Sequence, residues 1–196
     1  MRAALGLLAL CLVTAACGGS SHPRSGVTPP PTGGGPPALQ TGPAPWPLGS
    51  DQVARIAAAG LPALPSESLR VHYHAHLDVL VDGQAVTVPA LVGIDVRRQV
   101  LSPLHTHDQR GVLHVESPNN PDFTLGQFFT EWGVRFSANC VGGYCAPDHP
   151  VSVYVNGEPR PGDPAAVRLA PHQEIAVVVG KAPPAVPASF SFAPGE

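Results

Sequence analysis

Apolar and polar side chains alternate most regularly along residues 71–81, VHYHAHLDVLV. This alternation is typical of a β-strand with one buried face, because successive side chains on a strand point to opposite sides. The dipeptide Asp82-Gly83 that follows is a strong signal for a two-residue hairpin turn, which would pair Val81 with Gln84. Continued along the two strands, this register predicts the pairs Leu77 with Val88, Asp78 with Thr87, His76 with Pro89 and His74 with Leu91.

A second hairpin is predicted in residues 104–117, LHTHDQRGVLHVES. An even-length turn within the DQRG segment pairs His107 with Val112 and His105 with His114. Because side chains alternate along a strand, four residues with side chains that can bind a metal then share one face of the hairpin. These residues are His105, His107, His114 and Glu116.

Two further segments have helical patterns. Residues 124–133 begin with a capping box formed by Thr124 and Gln127, continue with apolar residues at helical spacing and end in a glycine. Residues 50–60 predict a shorter helix that has Ser50 as its N-cap and also ends at a glycine. The aromatic stripe of the predicted helix at residues 124–133 is typical of a core-facing surface.

The remaining apolar segments are short and strand-like. Residues 151–160, VSVYVNGEPR, contain an Asn-Gly turn, and residues 174–180, EIAVVVG, are apolar almost throughout. Strands therefore outnumber helices. The sequence predicts a mainly β fold, a small sandwich or barrel built of hairpins, with one or two short helices at its rim.

The N-terminal part of the chain has the pattern of an exported protein. Residues 1–16 contain a basic residue and an apolar run too short to span a bilayer, which indicates a signal peptide. The sequence around Cys17 resembles a bacterial lipoprotein box, so we expect a lipid anchor at Cys17 and a place on the extracytoplasmic face of the membrane. Proline and glycine dominate residues 17–49, which predicts a disordered tether. One β-rich domain is then expected at 50–181, followed by a loose tail at 182–196.

Cysteine content and charge agree with export. Of four cysteines, one lies in the signal segment and one is Cys17, which leaves Cys140 and Cys145 to form a disulfide. A formal net charge of −3, with 13% charged residues, gives no basic surface for nucleic acid.

The histidines indicate a metal site. Two histidines separated by one residue on a strand point the same way, and a third on the neighbouring strand can complete a set around one ion. His105, His107 and His114 fit this arrangement. Imidazole suits Zn²⁺ and Cu²⁺ equally, so either is expected as the cofactor. Further candidates, which would join the same ion or form a second site, are His74 and His76, with His72 and His172 as additional possibilities.

Three functions are compatible with this cluster. The first is metal binding, in sequestration or delivery of the ion. The second is a metal-dependent enzyme, a hydrolase, hydratase or cupin-like enzyme, in which three histidines leave one coordination position open and Glu116 or Asp108 acts as general base. The third is a surface module that binds a protein partner and makes no use of the histidines.

The chain also resembles a family of exported bacterial and archaeal proteins. The resemblance covers roughly residues 57–180 and is most specific in LHTHD followed by GVLHVES, with FTLGQFFTEWGV as a further shared segment. It implies an exported, often membrane-tethered domain and supplies no reaction.

Overall fold

The computed structural model describes residues 35–119 and 122–196. The predicted signal peptide, Cys17 and the first part of the predicted tether lie outside these residues. The described chain is mainly β, as the sequence predicts. The strands are β1 (Val71–Val81), β2 (Gln84–Val86), β3 (Ile94–Asp95), β4 (Val100–Leu101), β5 (Leu104–His105), β6 (Val112–Ser117), β7 (Cys140–Val141), β8 (Tyr144–Cys145), β9 (Val151–Val155), β10 (Glu158–Pro159) and β11 (Glu174–Val179). The helices are α1 (Gln52–Ala58), α2 (Leu125–Trp132) and a 3₁₀ turn at Pro164–Ala166.

One seven-stranded sheet forms the centre of the fold, in the order β10-β9-β11-β1-β6-β5, with β2 paired to β1 beside this path. Strand β1 runs parallel to β11 and antiparallel to β6 and β2. The strands β3 and β4 form one small separate sheet, and β7 and β8 form another. The large sheet is not closed on itself, so the barrel alternative is wrong.

The first hairpin is much shorter than the sequence predicts. Val81 pairs with Gln84 as expected, but β2 ends at Val86, and the predicted pairs of His74 and His76 with residues beyond it do not form. The segment after β2 contains Pro89, which has no N–H to donate to a strand ladder. The freed edge of β1 pairs instead with β6, and this places His74 opposite His114.

The second hairpin is confirmed at its base and wrong near its tip. His105 pairs with His114, but β5 ends there, and His107 lies in a bend without pairing to Val112. The turn instead folds against β1, where the N–H of Leu77 donates to the carbonyl of Gly111. Gly111 has a φ of +80°, and a Cβ there would lie 2.5 Å from the carbonyl oxygen of Leu77, so this close approach requires glycine.

The helices follow local sequence signals closely. Helix α2 has the predicted capping box of Thr124 and Gln127, and Gly133 ends it in the left-handed conformation. Helix α1 has Asp51 as its N-cap, where the sequence predicts Ser50, because the Asp51 carboxylate accepts the N–H of Ala54.

The two faces of β1 have different surroundings. Ala75, Leu77, Val79 and Val81 face the main core, which also contains the aromatic residues of α2. The residues between them lie on the opposite face of the sheet. There Leu80 packs with Ala176 and Val178 of β11 in a small second core, and the histidines of β1 occupy the remainder of that face.

Residues 40–49, predicted as part of the disordered tether, pack on the domain. Trp46 is 3% exposed and contacts Trp132 of α2 edge to face, and the indole N–H of Trp132 donates to the carbonyl of Trp46. The Pro-rich composition does not predict this contact, because a single tryptophan supplies the apolar surface that holds the segment on the domain.

The C-terminal residues 182–196 are also packed, where the sequence predicts a loose tail. Val186 contacts the small second core, and the ring of Phe190 stacks on that of His76. Glu196 forms an ion pair with Arg110. The tail therefore crosses the histidine-bearing face of the sheet.

Two smaller features complete the fold. The predicted disulfide joins Cys140 to Cys145 and bridges β7 and β8, with the two Cα atoms 4.2 Å apart. Across residues 35–119 and 122–196, no helix is long and apolar enough to cross a membrane.

Candidate metal centre

Four side chains meet where the loop after β5 returns to β6. His105 ends β5, His107 lies two residues later, and His114 and Glu116 share one face of β6. Each offers one ligand atom, and these four atoms all lie within 4.8 Å of one another. The four side chains therefore converge, with His107 reaching the group from the bend after β5 and not from a paired strand, and the group can hold a metal ion.

The ring of His105 has a defined orientation. Its Nδ1 lies 2.9 Å from the carbonyl oxygen of Ser102, and because a carbonyl only accepts hydrogen bonds, Nδ1 must carry the proton. The lone pair of the neutral ring is then on Nε2, which lies 3.2 Å from Nε2 of His107. Two nitrogens bound to one tetrahedral ion by bonds of about 2 Å are about 3.3 Å apart. A second ring nitrogen tied to a backbone carbonyl is also the usual arrangement around metal-binding histidines.

Burial keeps two of the rings neutral at physiological pH. His105 is fully buried, and desolvation lowers its pKa to about 4, with the nearby His107 and His74 adding to the effect. Desolvation, together with His107, His74 and His105, lowers the pKa of His114 to about 3. Neutral imidazole is the form that binds a metal, so neither ring needs to lose a proton on binding.

Glu116 supplies a carboxylate with an unused oxygen. Its Oε1 lies 3.5 Å from Nδ1 of His114 and 3.6 Å from Nε2 of His72. Its Oε2 is buried and accepts no hydrogen bond from the described residues. Burial raises the pKa of this carboxyl, with Glu67 nearby as a second cause. A cation beside the carboxylate would satisfy both the buried oxygen and the lone pairs of the imidazoles.

Glu67 is an acidic neighbour that sequence reasoning missed. Its Oε1 lies 3.5 Å from Nε2 of His107. Glu67 precedes β1 in a segment without a periodic pattern, so no local signal connects it with a histidine 40 residues away. His107 and Glu67 are both about half exposed, and they form the solvent side of the centre.

His74 and His72 border this group from β1. Nε2 of His74 lies 3.0 Å from Nδ1 of His114 across the ladder. His72, His74 and Glu116 form a second set with convergent ligand atoms, which shares Glu116 with the first. Burial lowers the pKa of His74, and His72 contributes to the same shift.

The other candidates from the sequence lie elsewhere. His76 belongs to a third set, with Asp78 and Glu174. His172 donates through Nε2 to the backbone oxygen of Glu196 and stacks on Phe192, outside all three sets. Asp108 forms an ion pair with Arg110 at 2.7 Å and lies in none of the three sets.

The fold and the site together define a small, mainly β domain with groups of His and Glu side chains that can hold a metal ion. Comparison of the chain with protein-family models, curated proteins and solved structures gives no significant match in any of the three.

Proposed function

We propose that this protein binds a divalent transition metal, Zn²⁺ or Cu²⁺, through His105, His107 and His114, with Glu116 as the fourth ligand. The protein would act in sequestration or delivery of the ion. An export signal would direct the protein across the membrane, and a lipid anchor at Cys17 would hold it on the extracytoplasmic face. There it would bind the ion outside the cytoplasm.

One observation carries the proposal: the free Nε2 of the fully buried His105 lies 3.2 Å from Nε2 of His107, beside a buried carboxylate with an unused oxygen. Solvated histidines on the outer face of a strand would be hydrogen-bonded to water and separated. Here burial favours the neutral rings, and the carboxylate supplies the negative charge that a divalent ion needs.

A zinc titration of untagged, chelator-treated protein tests the proposal. We expect one tight site that is weakened at least about a hundredfold in a His105→Gln, His114→Gln variant, because two nitrogen ligands are lost. His149→Gln is the matched control, since His149 lies beside Asp82 and in none of the three sets. Equal zinc and copper affinity of the double variant and the control would contradict the proposal.

A pocket beside His107 favours metal-dependent catalysis as a second candidate. It is lined in part by Pro65, Leu91, Ile94 and Leu101, with a volume of about 370 Å³. A bound ion whose open side faced this pocket could activate water for attack on an apolar substrate, with Glu67 rather than Asp108 as the nearby base. Turnover of an activated aryl ester by the zinc form, lost in Glu67→Gln without loss of zinc, would support it. Equal rates with and without zinc would contradict it.

A further inference from the structure

His76, Asp78 and Glu174 form a group that shares no residue with the His105 group or with the group of His72, His74 and Glu116. His76 and Asp78 lie on the same face of β1, and Glu174 begins β11 directly opposite His76 in the parallel ladder. One atom from each of the three side chains lies within 4.8 Å of the other two. The group contains one imidazole and two carboxylates, whereas the His105 group contains three imidazoles and one carboxylate.

The hydrogen bonds of His76 fix which nitrogen faces the acids. Its Nε2 lies 2.7 Å from the carbonyl oxygen of Arg110, so Nε2 carries a proton. In a neutral ring the lone pair is then on Nδ1, which lies 2.8 Å from Oε2 of Glu174. Two lone pairs at this distance repel, and the arrangement therefore requires a positive centre, either a proton or a metal ion. In an octahedral site with bonds of about 2.1 Å, neighbouring ligand atoms are about 3 Å apart.

The carboxylates favour an ion of more than one charge. The Glu174 side chain is 1% exposed, and its Oε1 has no hydrogen-bond partner among the described residues. Within the same residues, His76 is the only basic side chain that forms an ion pair with Asp78 or Glu174. A single proton on His76 would leave one of the two negative charges uncompensated and Oε1 unused. A divalent cation would balance the negative charges of both carboxylates and would be coordinated by the unused oxygen of Glu174.

We propose that His76, Asp78 and Glu174 form a second, separate divalent-cation site that prefers Mn²⁺ and similar hard ions to Cu²⁺. Nδ1 of His76 and the two carboxylates are the ligands, and the Arg110 carbonyl orients the ring. Water completes the coordination on the side of Asp78, which is the most exposed of the three side chains. This goes beyond the proposed function, because the ligands, the preferred ion and the position on the sheet all differ.

The C-terminal tail covers this site. The ring of Phe190 lies parallel to that of His76, with ring centres 3.8 Å apart and 7° between their planes. Arg110, whose carbonyl holds His76, is itself bound through its guanidinium to Glu196. The tail therefore contacts His76 directly through Phe190 and indirectly through Arg110, and both contacts stabilise the orientation of the ring.

Binding of Mn²⁺ to the untagged full chain, followed by electron paramagnetic resonance, tests the proposal. We expect wild type to bind one Mn²⁺ that survives His105→Gln, His114→Gln. Glu174→Gln should weaken this Mn²⁺ binding at least about tenfold and leave the tight zinc site unchanged. Glu158→Gln, a substitution of an exposed glutamate on β10, is the matched control and should bind Mn²⁺ like wild type.

The two sites fail separately in this experiment. Unchanged Mn²⁺ binding in Glu174→Gln would overturn the second site and leave His76 and Glu174 as an ion pair. Zinc binding with wild-type affinity in the double histidine variant, while Mn²⁺ is lost in Glu174→Gln, would overturn the proposed function and support the second site. If Glu174→Gln does not fold by circular dichroism, Asp78→Asn replaces it, because Asp78 is one-third exposed and its substitution leaves the core intact.

Discussion

Single residues decide which ring nitrogens of the histidine cluster are free. The carbonyl of Ser102 fixes the tautomer of His105, and that of Arg110 fixes His76. Ser102 is itself fully buried and lies beside Glu131 of α2. These backbone contacts cannot be seen in a sequence, although the type and spacing of the histidines can.

Glu131 predicts a measurable dependence of stability on pH. It is fully buried, and desolvation raises its pKa well above the usual value, against a smaller opposite effect of Ser102. The folded chain therefore holds a proton that the unfolded chain releases above its ordinary pKa of about 4.5. This residue thus lowers the free energy of unfolding as pH rises above that value.

We expect the Glu131→Gln substitution to remove this decrease in the free energy of unfolding with rising pH. At pH 7 the variant should be more stable than wild type by about 1–3 kcal/mol, since no buried carboxylate has to be desolvated or neutralised. At pH 4 the difference should nearly disappear. Urea denaturation at both values measures it, and Glu158→Gln should show no change at either. A variant that is less stable than wild type at pH 7 would show that the carboxylate has a stabilising partner.

At the scale of elements, local signals predict helices and turns, and pairing between distant segments is not predicted. The Asp82-Gly83 turn and the capping box of α2 depend on neighbours in the chain, and both are confirmed. The sequence predicts Leu91 as the partner of His74, whereas the structure pairs His74 with His114. This difference arises because β6 competes for the same edge of β1. Glu174 comes to His76 through a parallel pairing 98 residues apart, which no alternation of side chains indicates.

The contact between residues 40–49 and α2 predicts that this segment belongs to the domain. Trp46 is buried against Trp132 and Tyr144. We expect Trp46→Ala to lower the free energy of unfolding by about 3–5 kcal/mol, as is usual for the loss of a large buried aromatic side chain. Urea denaturation measures this.

Leu39→Ala is the control for that substitution. Leu39 is 42% exposed, and its loss should change stability by less than about 0.5 kcal/mol. If Trp46→Ala has an effect as small as the control, the segment is a tether, as its composition alone suggests.

At the scale of the whole molecule, the two faces of the large sheet have different roles. One face packs on α2 and contains the core, and the other carries the histidines and is crossed by the tail. The mainly β class and the shared face of His105, His114 and Glu116 could be predicted from alternation, whereas His107 joins them from a bend. The tail, Glu67 and the separation of His76 from the first group could not, because they depend on how distant segments fold over the sheet.

The most direct test of the metal-binding account is anomalous diffraction from crystals of the zinc-loaded protein, recorded on both sides of the zinc absorption edge. We predict a peak about 2 Å from Nε2 of both His105 and His107, with His114 and Glu116 completing the coordination. The absence of a zinc peak at these side chains in protein saturated with zinc would contradict the account.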